Sequence, residues 1–133
     1  MLATVALVQV VTLYCSVTLS TNMEPPEPTA QRVFTVDYDS GQIFVVAGDR
    51  EGEVLQARSI TPTTIQFPDF TTADSFSAHS SDARSNGTER IDRTTGAYEA
   101  RKSVRLGRMP GLDFHYRGSC EPGLGVPFPE VRF

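Results

Sequence analysis

The chain has 133 residues and a formal net charge of −4, and 39% of its residues are hydrophobic and 21% charged. This length fits one domain with a core of its own, and the composition is that of a globular protein. The acidic balance argues against a general nucleic-acid binder, which normally carries a basic patch and a high pI.

The first 20 residues contain no charged side chain, and the first in the chain is Glu24. We interpret residues 1–11 as the remnant of a signal peptide whose basic start is missing, and residues 12–120 as a β-domain. Period-two alternation predicts a half-buried first strand. Its apolar face is Leu13, Cys15, Val17 and Leu19. A membrane-tethering helix over residues 1–20 is the alternative, because the run is long enough to span a bilayer.

Short alternating segments separated by turn residues follow the proline-rich loop at 22–30. Strands are predicted at 31–38, 42–47, 54–60, 63–67, 88–92, 97–106 and 112–117. Ser85-Asn86-Gly87 is predicted to be a turn, since Asn-Gly favours positive φ. The spacing predicts an all-β single domain, an antiparallel β-sandwich or small barrel of seven to nine short strands. Residues 121–133 are predicted to be an irregular Pro/Gly-rich tail.

Two turns share one pattern: an aliphatic residue, Asp, two variable residues, Ser or Thr, and Gly. They are Val36–Gly41 and Ile91–Gly96, which lie 55 residues apart. A three-residue hairpin loop often ends in the left-handed region, which Gly41 and Gly96 occupy at little cost. Asp37 is predicted to cap backbone amides rather than to act as a catalytic carboxylate, and Asp92 takes the same place in the second turn. Two independent hairpins are favoured over a duplicated half.

Eight of the twelve basic residues lie between Arg84 and Arg117. Such clustering is typical of an RNA- or phosphate-binding face. Acidic residues are interleaved with the basic ones, so a solvated strand face is the interpretation we prefer, and no nucleic-acid partner is predicted.

The chain lacks the motifs of the common catalytic and nucleotide-binding sites. The two histidines, His79 and His115, and the two cysteines have no metal-ligand spacing. We therefore predict that the protein is not an enzyme and uses no cofactor and no metal.

Cys15 and Cys120 are the only cysteines. In an oxidising compartment an even number favours a disulfide. This bridge would close a loop of about 105 residues, for which the chain-entropy model gives roughly 4–5 kcal/mol. Two free thiols are the alternative.

Three short motifs, Tyr14-Cys15, Ile91–Gly96 and Gly118-Ser119-Cys120, span most of the chain. Together they resemble a group of small, uncharacterised, exported bacterial proteins. In that group an aromatic-Cys strand follows a signal peptide, and I-D-[KR]-x-T-G and G-x-C come later. The resemblance implies a periplasmic or secreted β-domain with a Cys–Cys staple and brings no activity. This chain departs from the pattern by lacking a basic n-region.

We therefore expect an exported, non-catalytic β-domain that binds a protein or small-molecule partner or associates with the cell envelope. The alternative is a β-barrel that holds a small apolar ligand, which predicts an internal cavity of a few hundred Å³. Membrane association is expected only through residues 1–20.

Overall fold

The computed structural model describes residues 9–21, 27–28, 31–48, 50–72, 83–106 and 111–129. Within these ranges the regular structure consists of eleven β-strands and contains no helix. The strands are β1 (Val10–Thr21), β2 (Glu27–Pro28), β3 (Arg32–Asp37), β4 (Gln42–Ala47), β5 (Val54–Gln56), β6 (Ser59–Ile60), β7 (Thr64–Gln66), β8 (Phe70–Thr72), β9 (Ala83–Asp92), β10 (Ala97–Leu106) and β11 (Leu112–Pro122). The proline-rich loop at 22–30 lies mostly outside the described residues, as do residues 73–82 and 107–110.

All strands belong to one antiparallel sheet that curls into a half-barrel. The order is β5-β4-β3-β1-β11-β10-β9-β7-β6, and β2 and β8 pair with β1 and β9. The all-β prediction is confirmed. The strand count exceeds the predicted seven to nine because β2 and β8 are short additions and the predicted strand 54–60 divides into β5 and β6.

The two edges of the sheet are consecutive in the chain. β5 pairs with β4 at one edge, and β6 pairs with β7 at the other. Between them the amide of Ala57 donates to the Gly41 carbonyl and the amide of Arg58 donates to the Gln66 carbonyl, each at 2.8 Å. One extended segment therefore leaves the first edge and joins the second.

The concave side of the sheet is filled by side chains from both of its halves. The ring of Phe34 on β3 meets Phe67, just after β7, edge to face with centroids 4.9 Å apart, and stacks on Tyr98 of β10 at 6.1 Å. Aliphatic side chains complete this core: Leu13, Val17, Val36, Ile43, Val45, Ile65 and Ile91. The curl is stabilised by this packing, because each half buries the apolar face of the other.

Residues 123–129 cross the convex side of β1 and β3 as an irregular segment. The Val126 amide donates to Thr12 Oγ1 at 2.9 Å, and Thr35 Oγ1 donates to the Val126 carbonyl at 2.6 Å. Thr12 and Thr35 are consequently buried although they point away from the core. At one end of the segment Tyr14 Oη donates to the Leu124 carbonyl.

Three sequence-based assignments differ from the structure. The turn predicted at Ser85-Asn86-Gly87 is wrong, because these residues continue β9 and pair with β10 along its length. β1 begins at Val10, and Val10 and Val11 pair with β3, so the first strand starts two residues before the predicted start of the β-domain at residue 12. Residues 10–20 are strand rather than part of a helix, as their β-branched, alternating side chains favour. Among the described residues, no helix is long and apolar enough to span a membrane.

The likeness between the two hairpins extends to the strands beside them. In each turn the residue after Asp donates its amide to the residue just before a neighbouring strand, β1 or β7, at 2.7 Å in both cases. The turn glycine then accepts, through its carbonyl, from the strand that follows, at 2.8 Å and 2.7 Å. The donor–acceptor pairs are Tyr38–Gln9 and Arg93–Thr63, then Ala57–Gly41 and Cys120–Gly96.

These pairs relate β1, β3, β4 and β5 to β7, β9, β10 and β11, and both sets of four occur in the same order around the sheet. Buried positions correspond as well, with Val36 matching Ile91 and Ile43 matching Tyr98. The structure therefore contains two four-stranded units with one pairing scheme. The interpretation as two independent hairpins does not explain the correspondence of the neighbouring strands.

Candidate functional site

The disulfide joins the middle of the sheet. Cys15 on β1 lies directly opposite Cys120 on β11, the two Sγ atoms are bonded, and the Cα atoms are 3.9 Å apart. Both residues are buried in the core. The Cys120 amide donates away from β1 to the Gly96 carbonyl, so the cysteines form a non-hydrogen-bonded pair, in which side chains approach most closely.

A group of polar side chains lies inside the curled sheet, and we call it the interior polar cluster: Arg32, Arg50, Glu89, Tyr98 and Tyr116. Arg32 Nη1 donates to Tyr98 Oη at 2.7 Å and lies 3.6 Å from Glu89 Oε2. Tyr98 Oη donates to Glu89, and Arg50 Nη2 lies 3.3 Å from Glu89 Oε1. The Arg32 guanidinium also stacks over the Tyr116 ring at 4.2 Å.

The electrostatics of this cluster are those of a paired, buried network. Burial raises the pKa of the Tyr98 hydroxyl far above its usual range, and the adjacent Glu89 carboxylate raises it further. The phenol therefore stays protonated and donates. Among the described residues, no buried side-chain N or O atom lacks a hydrogen-bond partner. Removing one member of such a network lowers the free energy of unfolding by more than the intact network adds to it, because the remaining buried groups lose their partners.

The Asp–Gly turns are built alike. Asp37 Oδ1 accepts from the amides of Asp39 and Ser40, at 3.0 Å and 3.2 Å. In the second turn Asp92 Oδ1 accepts from the amides of Thr94 and Thr95, at 2.8 Å and 3.1 Å, and from the Thr94 hydroxyl at 2.6 Å. Gly41 and Gly96 close the turns with φ of 79° and 78°.

Hydrogen bonds to these carboxylates lower the pKa of each. The largest contribution comes from the Ser40 amide for Asp37, and from the Thr94 hydroxyl for Asp92. Both carboxylates therefore hold the loop backbone as capping groups.

The two turns meet at one end of the half-barrel. The Arg93 guanidinium lies over the Tyr38 ring at 4.1 Å and donates to the Thr61 carbonyl at 2.6 Å. Beneath this pair is a pocket of about 370 Å³, which we call the hairpin mouth. Its floor is aliphatic: Val11, Leu13, Ile65 and Ile91.

The convex side of β9, β10 and β11 carries a second group, which we call the arginine face: Arg90, Glu99, Arg101, His115 and Arg117. Glu99 lies opposite Arg90 on β9 and opposite Arg117 on β11. Its carboxylate is 3.6 Å from Arg90 Nη2, 3.8 Å from Arg101 Nε and 3.3 Å from His115 Nε2.

The charges around Glu99 favour its ionised form. Desolvation opposes ionisation, but the hydrogen bond from His115 and the charges of Arg101 and Arg90 together lower the pKa of Glu99. One carboxylate thus neutralises one of three guanidinium groups. With His115 neutral, the arginine face has a net charge of +2, whereas the whole chain has −4.

The basic residues that are close in sequence divide among three places. Arg90, Arg101 and Arg117 share the arginine face, Arg93 lies at the hairpin mouth, and Lys102 follows Tyr98 and Ala100 on the concave side of β10. Arg105 and Asp113, which have opposite charges, lie on the same side of β10 and β11 as the arginine face. Arg84 lies in β9, but its side chain and Arg108 are outside the described positions.

The interior polar cluster was not anticipated from the sequence. The sequence did contain a sign of buried charges. Arg32 lies two residues before Phe34, and Glu89 lies two residues before Ile91, and both Phe34 and Ile91 are in the core. Alternation places residues two apart on one face of the sheet. A charged residue at such a position indicates a buried charge that needs partners, but those partners come from distant strands.

No group of three His, Cys, Asp or Glu side chains in the described ranges is arranged to hold a metal ion. His79 lies outside those ranges. Comparison with protein-family models, with curated proteins and with solved structures finds no match to this chain.

Proposed function

We propose that this chain is a small exported, non-catalytic β-domain that acts by binding through its outer surface. The observation that carries the proposal is the buried Cys15–Cys120 disulfide, which joins the first long strand to the last. Disulfides of this structural kind form in oxidising compartments and are rare in the cytosol. The bridge is consistent with a periplasmic or extracellular protein.

The interior of the sheet supports binding at the surface. Phe34, Phe67 and Tyr98 fill the concave side, and the interior polar cluster is engaged in internal hydrogen bonds and ion pairs. Side chains occupied in this way hold the two sides of the sheet together. Recognition would then use exposed faces and rims presented on a rigid scaffold.

Subcellular fractionation with thiol trapping tests this proposal. The gene is expressed in a bacterial host with its natural upstream sequence, and each fraction is treated with a mass-adding alkylating reagent before and after reduction. We expect the protein in the periplasmic or secreted fraction, with its thiols blocked until reduction. Cytosolic protein that reacts without reduction would refute the proposal.

A small apolar ligand is the second candidate, and the hairpin mouth favours it. The sequence-based alternative placed such a ligand inside the barrel, but in the structure the rings of Phe34 and Phe67 fill that position. The pocket of about 370 Å³ lies instead at the end of the barrel. An aliphatic floor with a few polar groups at its rim is the usual composition of a small-molecule site, and barrel mouths often hold one.

Occluding the hairpin mouth tests this candidate. Val11 lines the pocket, whereas its neighbour Val10 is exposed and does not line it. With the neutral fluorophore N-phenyl-1-naphthylamine as probe, we expect Val11→Phe to lose binding and the control Val10→Phe to keep it. Equal binding by the two variants would exclude the hairpin mouth as the site.

A further inference from the structure

Two neighbouring depressions lie at the arginine face, one with charged side chains and one with uncharged polar side chains in its lining. A pocket of about 390 Å³ includes Arg90, Glu99 and Arg117 in its lining, together with Asp92, whose carboxylate accepts from the amides of the second turn. A shallow depression of about 400 Å³ on the other side of Arg117 includes uncharged hydroxyl and amide groups in its lining. Its polar residues are Ser16, Thr18, Gln31 and Ser119. Arg117 and Gly118 belong to both, so they form one continuous strip from β9 across β11 to β1.

The cations of the strip are set at fixed spacings by the sheet. Arg90 and Arg117 flank Glu99 from the two neighbouring strands, so their Cα atoms lie about 10 Å apart at the usual strand separation. Arg101 is two residues along β10, about 7 Å from Glu99. The Arg117 side chain is exposed and makes no hydrogen bond or ion pair within the described part of the chain.

The chemistry of the strip selects among anionic partners. On β10 and β11 the side chains of Tyr98, Phe114 and Tyr116 alternate with those of the strip and belong to the concave side of the sheet, although Tyr98 also borders the pocket beside Arg90. The strip's own ring is the imidazole of His115, which is half-buried and paired with Glu99 at 3.3 Å, so the described residues of the strip offer nucleobases no run of exposed rings. The large hydrophobic side chains that are exposed, Val10, Val54 and Leu124, are not among those that line it. What remains are guanidinium groups for oxyanions, and hydroxyl and amide groups for sugar hydroxyls.

We propose that an acidic polysaccharide binds along this strip, with its anionic groups at Arg90, Arg101 and Arg117 and its hydroxyls over Ser16, Thr18 and Ser119. This inference rests on the proposed export, since such polymers lie outside the cytoplasm. It specifies the partner of an exported binding domain as an anionic polymer of the cell surface. Binding is electrostatic and weakens as the salt concentration rises.

Calorimetric titration of the full chain, with its disulfide intact, tests the proposal. The probes are heparin, which has sulfate and uronate groups, and polygalacturonate, which has uronate alone. Binding to heparin alone would assign the strip to sulfate-bearing polymers, and binding to both would assign it to acidic polysaccharides in general. Binding to neither probe would overturn the proposal, as would equal binding of neutral dextran or tighter binding of single-stranded DNA.

Two variants that should change the affinity in opposite directions test whether the polymer binds at the strip. Arg117→Gln should weaken binding about tenfold and lower the slope of log affinity against log salt by about one. Glu99→Gln should tighten binding severalfold, since it raises the net charge of the arginine face and releases Arg90 and Arg101. Unchanged binding by Arg117→Gln, or weaker binding by Glu99→Gln, would contradict the proposal.

Arg58→Gln is the matched control. Arg58 is exposed and pairs with Asp69 at 2.8 Å, away from the strip, and this variant removes the same charge as Arg117→Gln. We expect its affinity to stay within about twofold of the unmodified chain. A loss as large as that of Arg117→Gln would mean that overall charge rather than the strip governs binding. An exported, bridged protein that binds neither polymer would refute this inference and leave the proposed function standing.

Discussion

Gly41 and Gly96 have the same backbone conformation but different neighbours. A Cβ on Gly96 would lie 2.5 Å from the backbone oxygen of Cys120, whereas one on Gly41 would lie 2.6 Å from the flexible end of Gln56. Alanine at either position costs about 1–2 kcal/mol for the left-handed conformation. Because Gly96→Ala must also displace β11, we expect it to lower the free energy of unfolding at least twice as much as Gly41→Ala. Urea titration measures both, and equal losses would contradict this account of the turns.

The two turn carboxylates make stability depend on pH in the acid range. Hydrogen bonds lower the pKa of Asp37 and Asp92 below their ordinary value of 3.8. Their stabilising contribution is therefore complete above pH 3.8 and is lost as the pH falls through the lower pKa values of the folded state.

We expect the free energy of unfolding to decrease on acidification below about pH 4. The double variant Asp37→Asn, Asp92→Asn should flatten that decrease, because asparagine keeps the acceptor oxygen but does not titrate. Urea titrations between pH 2 and pH 6 measure the effect. An acid limb of unchanged steepness in the variant would show that other groups are responsible.

The Tyr98 hydroxyl connects two buried charges, so its removal should be costly. Tyr98→Phe leaves Glu89 and Arg32 each without one hydrogen bond, and we expect it to cost about 1–3 kcal/mol of unfolding free energy. Tyr38→Phe is the control, since its half-buried hydroxyl makes no hydrogen bond within the described part of the chain. Chemical denaturation compares the two variants. A Tyr98→Phe loss no larger than the control's would show that the network adds little to stability.

Among the strands, β1 and β11 are held together both by pairing and by the disulfide. They pair over nine residues, from Leu13–Pro122 to Thr21–Phe114, with the bridge inside that run. Replacing both cysteines by alanine should cost roughly 2–5 kcal/mol, chiefly because the unfolded chain regains the freedom of a 105-residue loop. Thermal unfolding with and without reductant measures the loss in the unmodified chain. A transition temperature insensitive to reductant would contradict a stabilising bridge.

Local alternation predicts strands well where one face is buried. In β1 the faces named from the sequence are those of the structure, with Leu13, Cys15 and Val17 in the core. The turn at Ser85-Asn86-Gly87 failed because Asn-Gly is only a local preference. Here a ten-residue strand, β9, pairs with β10 through these residues, and that pairing outweighs the preference.

The sequence did not predict the contacts between elements that are distant in the chain. Thr12 and Thr35 resemble ordinary solvent-facing strand residues, yet the segment at Val126 buries them. Arg32 and Glu89 meet only because the sheet curls. Such features depend on strand order and curvature, and short-range patterns do not encode either.

For the molecule as a whole, the two four-stranded units explain why the hairpins match. Equivalent hydrogen bonds before and after each turn place Tyr38 and Arg93 at corresponding positions, and these two residues then meet across the hairpin mouth. The distribution of charge does not follow the two four-stranded units. The arginine face has a positive net charge on a chain of net charge −4, so charge is distributed unevenly over the described surface.

We propose that this chain is an exported β-domain, and its first and last long strands are joined by a disulfide. Peptide mapping by mass spectrometry, on protein recovered from the exported fraction and digested without reduction, tests it most directly. We expect a cross-linked pair of peptides containing Cys15 and Cys120 that separates on reduction. Free thiols at both positions, or a mature chain that begins after Cys15, would contradict it.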